Sequence, residues 1–270
     1  MRECSMKRTK SFYDMRDALA EPGCAVCRLK QHTAYWMLDN LLDESVNDPG
    51  IREKLRRSRG FCREHTWALE RLGSAQGMTI VMHDVLKEAL RTLREGHFEA
   101  TPLFSRVGAQ ELVDRHKPRA ATGEVVAALG PQGTCPACDY ADEMEGILLD
   151  VLVEHLLEKD GLLAPFRTSS GLCLPHLRGA LQRVNDRKTY DALTAAQEGI
   201  WQRLLDNLGE ALRKYDYRLQ GQATGEEGDS WRRAMGLVAG ARVAREAEQL
   251  SLEWKLRHQE QKRKIAEGKS

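Results

Sequence analysis

Apolar residues recur along this chain with the spacing of helices, and no stretch alternates apolar and polar positions in the manner of a strand. In "RLKQHTAYWMLDNLLDESV", Leu29, Trp36, Leu38, Leu41 and Leu42 fall on one helical face. "NDPG" interrupts that helix, and Pro49 suits the first turn of a short helix through "IREKLRRS". Gly60 ends it. A long helix is predicted from Cys62 to about Arg94, with Met82, Leu86, Leu90 and Leu93 as its later stripe. Gly73 and Gly77 weaken that helix by about 1 kcal/mol each relative to alanine, so a bend or a close contact is expected there.

Further along, "YADEMEGILLDVLVEHLL" reads as a helix, "GLLAPFRTSSG" as a return segment, and the region after Cys173 as helical again. Ile200, Leu204, Leu208, Leu212 and Tyr215 give that last region its stripe. The stretch 97–133 holds three prolines and several glycines and is read as a linker with one short helix around Ala109–His116. Ser230 is placed to cap a helix starting at Trp231. Beyond Ala241 the sequence is charged, with a thin apolar stripe of Ala247, Leu250 and Trp254. This predicts a solvated C-terminal helix or, as the alternative, a partner-binding one.

The cysteines reveal a repeat. A shift of 111 residues carries Cys24, Cys27, Cys62 and His65 onto Cys135, Cys138, Cys173 and His176. It also carries Leu38 onto Leu149, Asp39 onto Asp150, Gly50 onto Gly161, Ser58 onto Ser169 and Gly60 onto Gly171. One pattern, C-x2-C-x34-C-x2-H, is used twice and takes six of the seven cysteines. The expected architecture is all-α: two tandem helical units, each pinned by a Cys3His zinc site, plus a charged C-terminal helix. The corresponding boundaries are 1–96 for the first unit, 97–133 for the linker, 134–222 for the second unit and 229–270 for the tail.

Three thiolates and an imidazole form an ordinary structural zinc set, and a two-residue gap at a helix start aims both donors at one point. Helix N-termini also stabilise thiolates. About two zinc ions per chain are therefore expected, on Cys24, Cys27, Cys62 and His65 and on Cys135, Cys138, Cys173 and His176. For this pairing, the 34 intervening residues must leave and return, or ligands must be exchanged between repeats. An iron–sulfur cluster is a weaker alternative, because the spacing matches no familiar cluster run. A dithiol redox pair lacks the surrounding strand–helix pattern, and inert buried cysteines would leave the repeat unexplained. Attached c-type haem is excluded, since Arg28 and Asp139 stand where a histidine is required.

Catalysis by Cys62 and His65 would need an oxyanion hole and an orienting third group, and neither is legible. No catalytic residue is assigned, and the protein is expected not to be an enzyme. His32, His83 and His155 read as core-edge or surface residues. Asp142, Glu143 and Glu145 read as the acidic first turns of a helix, and Trp36, Trp67, Trp201 and Trp231 as core. No phosphate-binding glycine loop or zincin motif is present.

Charged residues are 30% of the chain and nearly cancel to +1, which disfavours bulk attraction to nucleic acid or membrane. "GILLDVLVEHLL" is interrupted by Asp150 and Glu154, well short of the roughly 20 apolar residues of a spanning helix. The N-terminus lacks the apolar segment of a secretory signal, so a cytoplasmic location is expected. There the cysteines serve as thiols or ligands.

Together "CAVCRL", "GFCREH", "CPAC", "GLCLPHL" and the later "DSWRRAMGLVAG" resemble an uncharacterised bacterial family classed as a domain of unknown function. The resemblance covers about Cys24 to Gly240 and implies the same ligand set but no activity. The expected function is a zinc-stabilised binding or scaffold module for another protein. One alternative is a redox or zinc-responsive regulator. Another is a nucleic-acid binder, supported only by "REKLRRSR" and "KRK". The two sites are expected to be equivalent and closed, with the unmatched Cys4 the first thiol to react.

Overall fold

A computed structural model describes residues 8–72, 75–96, 123–215 and 225–240, and among these it is helical with no strand. In order, the α-helices are α1 (Lys10–Leu19), α2 (Ala25–Asn40), α3 (Pro49–Arg57), α4 (Arg63–Leu72), α5 (Ala75–Glu95), α6 (Gly123–Leu129), α7 (Pro136–Glu154), α8 (Leu163–Thr168), α9 (Leu174–Leu181), α10 (Arg187–Lys214) and α11 (Ser230–Ala239). A π-helical turn, Leu41–Ser45, follows α2 directly, and a 3-10 turn, Glu226–Asp229, leads into α11. The expected all-α class holds. Cys4, the segment Ala109–His116 and residues 241–270 lie outside the described residues.

Local signals account for several boundaries. Asp48 caps α3 by accepting the Ile51 N–H at 2.8 Å, with Pro49 in the first turn as read from "NDPG". Asp186 caps α10 in the same way through the Thr189 N–H at 3.0 Å. Helices α4 and α5 cover the described part of the long helix expected from Cys62 to about Arg94, and residues 73–74 lie outside the described residues. The second return segment contains the short helix α8, and α6 lies within the stretch read as linker. Helix α11 starts one residue before Trp231, so Ser230 is its first residue and Asp229 stands at the cap position.

The chain divides into two compact units, and these are not the tandem repeats. One consists of Met1–Ala34 and Ala141–Ser270, the other of Tyr35–Tyr140, so the divisions fall inside α2 and α7. These divisions differ from the boundaries 1–96 and 134–222 read from the sequence repeat. The reason lies in the packing of the helices' two ends. Leu38, Leu41 and Leu42, at the end of α2, share a core with Leu55, Phe61, Ala68, Leu69, Val81 and Ala137. Leu148, Leu149 and Leu152 of α7 share the other core with Phe12, Met15 and Leu19 of α1, Phe166 of α8, Leu172, Leu177 and Leu193. Each long helix thus contributes its beginning to one core and its remainder to the other.

The predicted stripes hold only in part. On α5, Val81 is buried and Met78, Met82 and Val85 pack beside the core, while Leu86, Leu90 and Leu93 are exposed. On α10, Leu193, Ala196 and Ile200 are buried, but Leu212 and Tyr215 are exposed. Trp36, Trp67 and Trp231, expected in the core, are exposed, whereas Trp201 packs against it. Trp36 instead stacks on Tyr140 with ring centroids 6.1 Å apart. His155 is buried, its ring set edge-on to Phe12 and its Nδ1 2.8 Å from the Glu158 carboxylate.

The turn before α11 is held by one carboxylate. Glu227 is buried and accepts hydrogen bonds from Lys214 Nζ and the Gly225 N–H, both at 2.8 Å. The Lys214 hydrogen bond, followed by the backbone ones, lowers its pKa to about 2. Because the folded value is depressed, this stabilisation is complete above the ordinary value of 4.5 and is lost as pH falls through about 2. Denaturation midpoints measured from pH 6 downward should therefore fall less steeply in Glu227→Gln than in the wild type. Parallel profiles would remove Glu227 from the acid response.

Candidate metal centres

All four cysteine-containing motifs occupy the same local structure, the start of a helix. Cys24, Cys62, Cys135 and Cys173 each immediately precede a helix, and Cys27, His65, Cys138 and His176 lie three residues on, in its first turn. In every case the leading cysteine's carbonyl accepts the first helical hydrogen bond, from the N–H of Arg28, Thr66, Asp139 or Leu177 at 2.8 to 3.2 Å. The side chain that follows from that backbone geometry points across the helix mouth. There the positive end of the helix dipole favours a thiolate.

The structure brings these motifs together across the repeats. Cys24, Cys27, Cys173 and His176 form one cluster; Cys62, His65, Cys135 and Cys138 form the other, and each can hold a metal ion. All eight expected residues are present, but the expected partners are exchanged: a repeat does not close its own site. Helix α2 rises about 24 Å over its sixteen residues. The chain after it does not run back along that length. Phe61 and Cys62 share a core with Leu38 near the C-terminal end of α2 and with Leu41 and Leu42 of the turn after it.

Donor spacing in both clusters suits a single tetrahedral ion. Metal–sulfur bonds of about 2.3 Å and metal–nitrogen bonds of about 2.0 Å set two sulfurs about 3.8 Å apart and a sulfur about 3.5 Å from a nitrogen. In the first cluster, Cys27 and Cys173 sulfurs are 3.6 Å apart, and His176 Nδ1 lies 3.4, 3.3 and 3.1 Å from Cys24, Cys27 and Cys173. In the second, Cys62 and Cys138 sulfurs are 3.7 Å apart, and His65 Nδ1 lies 3.3, 3.5 and 3.4 Å from Cys62, Cys135 and Cys138. All donor atoms of a cluster fall within 4.8 Å of one another. These sulfur separations are far outside the about 2.05 Å of a disulfide, and none of these six cysteines is disulfide-bonded.

Without a metal, such crowding leaves the donors electrostatically strained. Hydrogen bonds with Cys173 and Cys27 hold the Cys24 thiol well below its ordinary range despite burial. Burial opposes charge on His176, but hydrogen bonds with Cys173 and Cys24 outweigh it and raise its pKa to about 10. Cys138 is pushed strongly upward, by burial first and then by the neighbouring Cys135 and Cys62. Negative charge gathered at a helix mouth is what a bound cation relieves.

The first cluster has supports that sequence reasoning missed. Glu145 Oε1 lies 3.4 Å from His176 Nε2, the ring nitrogen facing away from the cluster. A carboxylate there fixes the ring and its tautomer. Lys30 pairs with both Glu145 and Asp142. Burial opposes its charge, but the hydrogen bonds to Asp142 and Glu145 prevail and raise its pKa. These carboxylates were read as an acidic helix start; the missed signal was Lys30, whose role becomes visible only when α2 and α7 residues are adjacent. The loop before Cys173 is clamped by buried Gln197, which accepts from the Leu172 N–H at 3.0 Å and donates to the Leu172 carbonyl at 3.1 Å. The Gly23 N–H donates to Ser170 Oγ at 2.9 Å, joining the two ligand-bearing loops.

Gly171 in that loop has φ of +75°, and a Cβ there would stand 2.9 Å from Gln197 Nε2. Gly171→Ala should therefore cost about 1–3 kcal/mol in chemical denaturation, through backbone strain and displacement of the clamp. Wild-type stability in that variant would show that the loop tolerates another conformation.

Residues 6–245 match a family described as "Family of unknown function (DUF6062)". The chain belongs to this family. The match begins before and ends just after the stretch, Cys24 to Gly240, on which the resemblance was noted. One relative is the "Uncharacterized 23.9 kDa protein in xynA 3'region" of Caldicellulosiruptor sp. (strain Rt8B.4). It is 24% identical over 227 residues, covering 84% of this chain and 99% of its own. No solved structure matches the chain.

Proposed function

We propose that this family member is a zinc protein whose two Cys3His sites are structural staples of a non-catalytic binding or scaffold module. The observation that carries this reading is the size of the clusters: four donors within 4.8 Å, at tetrahedral separations, twice. A polynuclear iron–sulfur cluster places several metal and sulfide atoms between its thiolates and needs a wider cage. Three sulfurs and one imidazole match zinc's preferences, and four protein donors leave no open position for a substrate or a reactive water. The first site joins segments 146 residues apart in sequence and the second segments 70 residues apart, the work of a staple.

The nucleic-acid alternative loses its main support. Arg52 and Arg56 of "REKLRRSR" pair with Asp84, and Arg59 with Glu88, so three of the run's five cations are paired with α5 carboxylates. No described helix is long and apolar enough to cross a membrane. Elemental analysis of protein purified without added metal tests the proposal: about two zinc ions per chain are expected. One ion, or iron with labile sulfide, would contradict it.

A further inference from the structure

The two clusters share a ligand set but not an environment. All four residues of the first are buried, with Cys173 1% and His176 6% exposed. In the second only Cys135 is buried, and Cys62, His65 and Cys138 are partly open to solvent. Gly240, at the end of α11, brings its backbone over the first cluster. A Cβ at this residue would stand 3.4 Å from Cys27 Sγ and 3.8 Å from Cys173 Sγ, and its φ of +87° suits glycine.

Under the repeat relation, residues that support the first cluster meet counterparts of different chemistry. Under the 111-residue shift Glu145 corresponds to Ala34, which has no carboxylate to offer a histidine. Gln197 corresponds to Leu86, which has no hydrogen-bonding group and is 67% exposed. The first site is thus braced at its histidine and at one cysteine loop by residues whose counterparts lack that chemistry, and Gly240 lies over its sulfurs.

We infer that the second site, Cys62, His65, Cys135 and Cys138, is an exchangeable zinc site, and that the first is the permanent one. This rests on the zinc reading above. Removal of an ion from a closed four-donor site requires an incoming donor to reach the metal as one protein ligand leaves. Cys62 and Cys138 offer that approach, and Cys173, buried under Gly240, does not. The step is a ligand substitution: a bond from zinc to the acceptor's nitrogen, oxygen or sulfur forms, the zinc–thiolate bond breaks, and the freed thiolates take protons from water. No electron moves. Exchange with an acceptor that offers a thiol donor would make the Tyr35–Tyr140 unit responsive to zinc supply while the other unit stays metallated.

Full-length zinc-loaded protein challenged with the chromophoric chelator 4-(2-pyridylazo)resorcinol tests the inference. Two phases are expected, one ion each, with rates separated by at least about tenfold. Cys62→Ser should begin with one zinc and lack the fast phase. Glu145→Gln, which removes a positioning residue from His176, should speed the slow phase by about tenfold and leave the fast one alone. Release of both ions in one phase, or a fast phase surviving in Cys62→Ser, would overturn the inference. N-ethylmaleimide labelling of wild-type protein gives a check that needs no variant: Cys62 and Cys138 should label before Cys24, Cys27 and Cys173, and the reverse order contradicts the assignment. Protein purified without any zinc would instead undo the underlying zinc reading.

Discussion

Cys173→Ser is expected to lose one of two zinc ions and to lower stability by about 3–5 kcal/mol, the range found when one partner of a buried charged set is removed. Cys173 is 1% exposed, and its sulfur lies 3.6 Å from Cys27 and 3.1 Å from His176. A serine hydroxyl stays protonated at neutral pH and does not replace a thiolate. The variant therefore leaves two thiolates and an imidazole packed together without a cation. Helicity should survive, because the core around the site also buries Leu148, Leu149, Leu152, Leu162 and Leu193, which are not ligands. The melting temperature should fall by roughly 10 °C. Unchanged zinc content with unchanged melting would remove Cys173 from the ligand set.

Phe166→Ala is expected to be about as costly, for a different reason. Phe166 is fully buried on α8, which packs against α1 and α10. Truncating such a ring removes transfer free energy and leaves a cavity, about 3–5 kcal/mol together. The variant should nevertheless keep both ions, since Phe166 touches neither set of donors through any hydrogen bond or charge. Equal destabilisation with different zinc content would separate core from staple. Loss of an ion in Phe166→Ala would mean that the Met1–Ala34 and Ala141–Ser270 unit cannot hold its site once its core is loosened.

The sequence displays the helices and all eight donors, because periodicity and the 111-residue shift are local or additive signals. It carries no information on pairing. Each repeat supplies one C-x2-C and one C-x2-H, so closure within a repeat and exchange between repeats satisfy the spacing equally. What decides is where the return segment packs, and that depends on Phe61 meeting Leu38, Leu41 and Leu42 at the far end of α2. The supports at the first cluster were hidden for a related reason. Glu145 and Gln197 look like ordinary helix residues until His176 and Leu172 are brought to them. Leu86, Leu90 and Leu93 mislead in the opposite direction: they continue a helical stripe past the point where anything covers it.

Exchange of ligands between repeats is the central claim, and counting zinc in two double variants tests it most directly. Cys24 and Cys173 belong to one cluster, whereas Cys24 and Cys62 belong to different ones. The Cys24→Ser/Cys173→Ser protein should therefore retain about one zinc ion, held by Cys62, His65, Cys135 and Cys138. The Cys24→Ser/Cys62→Ser protein should retain none. The opposite result, one ion in Cys24→Ser/Cys62→Ser and none in Cys24→Ser/Cys173→Ser, would mean that each repeat closes its own site and would contradict the account.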